Sequence, residues 1–92
     1  MLTIHKYPMD LDDHEVVFMP RGAKIAKIGV QRGKICVWAL VDTDMPETEH
    51  HFYIRGTGHP APDGKPHVGT VEQGDFVWHI FSLVPLTTQN KE

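Results

Sequence analysis

Lys34-Ile35-Cys36-Val37-Trp38-Ala39-Leu40-Val41 is apolar at every position after the first. Successive side chains of a strand point to opposite faces, which puts Ile35, Val37, Ala39 and Val41 on one side and Cys36, Trp38 and Leu40 on the other. A strand with one wet face alternates. This one does not, so it must be covered twice and reads as the central strand of a sheet.

Just before it, Ala23 to Gln31 has Ile25 out of phase with Ile28 and Val30, and a β-bulge near Ala26-Lys27 restores the phase. A short amphipathic helix would also bring Ile25 and Ile28 together, but Gly29 and the β-branched Val30 weigh against it. Arg32-Gly33 then forms the tip of a tight hairpin whose glycine supplies positive φ, so these two strands are expected to be antiparallel neighbours. Upstream, Leu2 to Tyr7 alternates until Pro8, which is expected to stop ladder pairing. A polar connector around Asp12-Asp13 leads into the β-branched and aromatic strand Glu15 to Met19, closed by Pro20-Arg21-Gly22.

Downstream, Asp42 to Glu49 reads as an acidic, solvated loop in which Pro46 forbids a regular ladder. His50 to Arg55 resumes alternation, with Phe52 and Ile54 inward. Gly56 to Pro66 holds three glycines and three prolines, so it reads as a long loop. His67 to Gln73 and Asp75 to Leu83 bracket Gly74 as a last hairpin, in which Phe76, Trp78 and Ile80 oppose Val77, His79, Phe81 and Leu83. That strand too is apolar on both sides.

Seven short strands with turn signals between them and no convincing helix predict an all-β fold, a small antiparallel β-sandwich or partly open barrel. The 92 residues suit one domain, expected over residues 1–86, with a polar, frayed tail at 87–92. The two strands that are apolar front and back exceed what one small sandwich covers. The surplus predicts a homo-oligomer whose interface holds Cys36, Trp38, Leu40 and Trp78.

Composition narrows the function classes. With 40% hydrophobic and 23% charged residues the chain is globular, and no apolar run is long enough for a membrane helix. The N-terminal residues carry no secretory signal pattern, so the expected location is the cytoplasm. A net charge of −3 with scattered basic residues disfavours general nucleic-acid binding. The single Cys36 lies in the apolar run, which reads as a buried, inert thiol. Seven histidines make the charge sensitive to pH between about 5 and 8.

Four stretches resemble the signature of a small phage-encoded domain family of unknown function: Lys6-Tyr7-Pro8, Trp38 to Asp42, Gly56-Thr57-Gly58-His59-Pro60 and Val77 to Phe81. The resemblance implies a phage or prophage origin and a bacterial host cytoplasm. Small phage proteins of this class act on host defence by binding a protein or sequestering a nucleotide signal, and the expectation here is the same.

The long loop is the leading candidate site. Gly58 lets backbone amides approach a ligand, Thr57 offers a hydroxyl, and Arg55, His59, Lys65 and His67 complement an anion such as a phosphate or carboxylate. A tight turn whose histidine caps backbone groups is the equal alternative. The Walker and dinucleotide spacings are absent, so a nucleotide would need an aromatic such as Tyr53, Trp38 or Trp78 to stack its base. Gly56, Pro62, Gly64 and His67 are similar to the second motif of cupins, but no upstream His-x-His supplies the remaining ligands, so no metal or cofactor is expected. His50 and His51 are adjacent in a strand and point apart. The only serine is Ser82 and no nucleophile elbow is present, so the expectation is a non-enzymatic binder, with a metal enzyme or a virion structural protein as the alternatives.

Overall fold

The computed structural model describes residues 1–87. Seven strands follow in order: β1 (Leu2–Met9), β2 (His14–Pro20), β3 (Lys24–Gln31), β4 (Lys34–Asp42), β5 (Glu47–Gly56), β6 (His67–Gln73) and β7 (Phe76–Ser82). They form a three-stranded sheet, β1-β4-β3, and a four-stranded sheet, β2-β5-β7-β6, with every pairing antiparallel. The result is an open sandwich and not a closed barrel.

β4 is central, as its double-sided apolar pattern requires. Its inner residues Ile35, Val37, Ala39 and Val41 are essentially inaccessible and join Phe52, Ile54, Val71 and Ile80 of the opposite sheet in one core. Burying an aliphatic or aromatic side chain of this kind is worth about 1.5–3 kcal/mol, so this shared cluster holds the sheets together. The bulge falls between Ile25 and Lys27, which lets both Ile25 and Ile28 turn inward, opposite Ala39 and Val37. The β3–β4 turn has positive φ at both Arg32 (54°) and Gly33 (78°), the left-handed pair that fits the twist of a two-residue hairpin.

The outer face of β4 is covered from within the chain. Lys6 of β1 reaches Gln31 of β3 at 2.8 Å, bridging over β4, and the Lys27 ammonium lies 5.3 Å from the Trp38 ring centre. Lysine stems thus lie across apolar surface while their charges stay in water. Cys36 is only 2% exposed, and Trp38 and Leu40 are half-buried. Part of this face is therefore covered within the chain, while Leu2 and Ile4 of β1 stay exposed on it.

Beyond shifts of a residue at several strand ends, three boundaries differ from the sequence reading. β1 continues through Pro8, paired with Cys36, because it is an edge strand, where a missing N–H need not interrupt the ladder. β5 begins at Glu47, immediately after Pro46, since Glu47, Thr48 and Glu49 find partners in Pro20, Met19 and Phe18. Thr87, expected to fray, donates its amide to the Ile25 carbonyl at 2.8 Å. The rest of the expected tail, 88–92, lies outside the described residues.

Candidate functional site

The six residues expected to form the loop site do not converge. Arg55 is committed to main-chain carbonyls: Nη1 donates to Asp13 (2.9 Å) and Ile54 (3.1 Å), and Nε donates to Pro60 (3.2 Å). Its guanidinium pins the long loop and the β1–β2 connector to β5. Thr57 and His67 enter a chain of hydrogen bonds on the outer face of the four-stranded sheet. Thr57 Oγ1 lies 2.8 Å from His79 Nε2, His79 Nδ1 3.1 Å from Thr70 Oγ1, and Thr70 Oγ1 2.8 Å from His67 Nε2. Either neutral tautomer of His79, with the matching one of His67, satisfies all three contacts, so both ring nitrogens of His79 are engaged.

Gly58 turns the loop with φ of 90°, and His59 packs against Gly56, where an added Cβ would lie 3.3 Å from the His59 ring. His59, Thr57 and the stacked pair Phe76 and Trp78 (5.5 Å between centroids) border an open cleft at one end of the sheet. Its charged lining residue is Asp75, so it does not suit an anion.

Lys65 stands apart, at a second cavity. β7 ends at Ser82, and the chain then crosses to the other sheet, where Pro85 accepts from the Ile25 amide at 2.7 Å. Departure of β7 leaves the first half of β5 without a neighbour on that side. A notch of about 460 Å³ results, walled by Ala23, Leu83, Val84 and Pro85 and lined also by Lys24 and Lys65. That volume is in the range of small-ligand sites, and its mix of apolar walls with a few polar groups is theirs too.

The notch floor is β5. Ile54 donates its amide toward β2, to Asp13 at 3.1 Å, so by alternation the main chains of Tyr53, His51 and Glu49 face the β7 side. Tyr53 has its partner there, Phe81. The His51 carbonyl accepts from Ser82 Oγ at 2.7 Å, whereas among the described residues the amides of His51 and Glu49 have no acceptor on that side. Glu49 is the acidic side chain in the wall, and it is turned onto its neighbour, with Oε1 3.3 Å from His51 Nε2. His51 Nδ1 lies 2.7 Å from His14 Nε2, and His14 stacks on Tyr53 at 4.6 Å. Lys65 Nζ sits 5.5 Å from the centre of that Tyr53 ring.

The remaining expectations separate. Trp38 is on the outer face of the three-stranded sheet, whereas Trp78 points toward the core with Ile80 and donates Nε1–H to Gln73 at 3.1 Å. They cannot share one contact surface with Cys36 and Leu40. Among the described residues no three His, Cys, Asp or Glu side chains converge as a metal site would require, and no helix is long and apolar enough to cross a membrane. The notch itself is invisible in the sequence because it arises from where β7 stops; of the six expected residues it holds Lys65 alone.

A family model described as a domain of unknown function (DUF7352) matches residues 1–91. No curated protein and no solved structure matches the chain.

Proposed function

We propose that this chain, which belongs to that family of unknown function, is a non-enzymatic binding module that captures an anionic ligand in the notch beside β5. The observation that carries the reading is the cavity of about 460 Å³, whose lining carries two lysines, Lys24 and Lys65, among aliphatic and polar side chains. A carboxylate or phosphate held by both ammonium groups would gain charge-assisted hydrogen bonds, each worth about 1.5–3 kcal/mol. The wall's own Glu49 lies 3.3 Å from His51, and Lys65 Nζ lies 3.5 Å from the Asp63 carbonyl, a contact that a stronger, anionic acceptor would replace. The resemblance of the loop and hairpin motifs to phage domains extends the proposal to a phage accessory protein that acts in the host cytoplasm by intercepting a host factor or signal.

Calorimetric titration with nucleoside monophosphates, cyclic nucleotides and short acidic peptides tests this. At least one of these anion classes is expected to bind, and the double variant Lys24→Ala/Lys65→Ala to lose tenfold or more in affinity with its fold unchanged. Binding that is indifferent to both lysines, or none by any class at millimolar concentration, overturns the reading.

A further inference from the structure

The notch is an interrupted sheet edge, and that limits what fills it. Strand β5 has ten residues, Glu47–Gly56, but β7 pairs only with Phe52 to Gly56. Beyond Ser82 the chain turns away to β3, held there by the Ile25–Pro85 and Thr87–Ile25 hydrogen bonds and the bridge between Ile25 and Leu86. The vacated position exposes the Glu49 amide and carbonyl and the His51 amide, on alternate residues and in the plane of the sheet. Donors and acceptors spaced in this way match another main chain in extended conformation.

A nucleotide finds less here. Of the aromatic residues in the lining, Tyr53 has one neighbour stacked at 4.6 Å, His14, and a lysine ammonium 5.5 Å from its centre, so a base would have to displace one of them to stack. The lining also offers a run of aliphatic surface, Ala23, Leu83, Val84 and Pro85. Leu83 is 68% exposed, apolar surface of the kind that an incoming aliphatic side chain covers.

We infer that the notch takes, by strand addition to β5, an extended peptide segment of a partner protein, with its main chain on Glu49 and His51 and an acidic side chain between Lys24 and Lys65. This rests on the notch being the binding site and names its ligand. An edge with unpaired main-chain groups is a template for pairing with another chain, and β5 is such an edge over only a few residues, too short for open-ended self-association. Main-chain pairing gives affinity, while the two lysines and the aliphatic wall select an acidic residue next to apolar ones.

The test is selection of random decapeptides displayed on their own messenger RNA against the immobilised full chain, counter-selected against Lys24→Glu/Lys65→Glu. Enriched peptides are then synthesised and titrated into the 15N-labelled protein. The inference expects acidic residues among aliphatic ones, slowed exchange of the Glu49 and His51 amides on binding, and a tenfold or greater loss of affinity when alternate peptide amides on the β5-facing side are N-methylated. No enrichment over the counter-selected variant, or exchange slowed elsewhere and not at Glu49 and His51, overturns it. Adenosine monophosphate is the parallel probe. If it binds with lysine dependence and no peptide does, the notch remains an anion site and strand addition falls; if neither binds, both fall.

Discussion

At the scale of single residues, Gly69 shows how closely the sheets approach. A Cβ at Gly69 would lie 3.1 Å from Ile28 Cδ1 and 3.3 Å from Ile28 Cβ, the latter fixed to the main chain of β3. The δ-methyl can swing aside but the β-carbon cannot, so Gly69→Ala forces β3 and β6 apart. Overpacking of this kind costs about 1–3 kcal/mol, and urea unfolding followed by Trp fluorescence is expected to show that loss. A second residue-scale effect sits at the other end of the molecule. The Met1 amine is held by the Asp42 and Asp44 carboxylates at 2.9 Å each, which raises its pKa above the ordinary 8.0. Asp42 accepts from the Asp44 amide and from that amine, which lowers its pKa below the ordinary 3.8. The amine's contribution is complete below 8.0 and is lost as pH rises through its folded value; that of Asp42 is complete above 3.8 and is lost as pH falls through its folded value. The clamp is therefore whole between these limits. All three groups are exposed and screened, so the expected readout is local: the Asp44 amide resonance stays constant inside that window and moves outside it on both sides.

At the scale of elements, Arg55 decides how the long loop sits. A lysine in its place keeps the charge but cannot reach three carbonyls in one fork. Arg55→Lys is expected to lower stability by roughly 1.5–3 kcal/mol and to raise exchange at Pro60's neighbours, measured by denaturation and hydrogen exchange. Retained stability with an ordered loop would show that the carbonyl contacts are incidental. Much of the element scale was readable beforehand. Alternation, the double-sided apolar run of β4 and the turn residues between runs located all seven strands, the odd step from Ile25 to Ile28 located the bulge, and Arg32-Gly33 located the turn. What escaped was set by neighbours and not by local pattern. Pro8 stays in β1 because the strand lies at an edge, and Glu47 to Glu49 join β5 because β2 offers them partners. The site escaped further: Arg55 looks like an anion receptor in sequence, but its carbonyl partners belong to residues as distant as Asp13.

At the scale of the whole molecule, the two strands apolar on both faces have different fates. Trp78 packs half-buried against its own core, while Trp38 lies under the Lys27 ammonium and half-buried Leu40 has Ile4 (47% exposed) and Leu2 (68% exposed) on the same face. Self-association is accordingly proposed through the outer face of the three-stranded sheet alone. Light scattering at high concentration is expected to give a dimer mass for the native chain and a monomer for Ile4→Lys; a native monomer removes the proposal. Ligand capture depends on a vacancy in the other sheet, where β7 stops at Ser82 and leaves the first half of β5 open. Hydrogen exchange measured amide by amide on the unliganded protein tests it most directly. Tyr53 and Arg55, paired with β7, are expected to exchange slowly, and Glu49 and His51 to exchange at least a hundredfold faster; equal protection of all four would mean that the edge is closed and that there is no notch to fill.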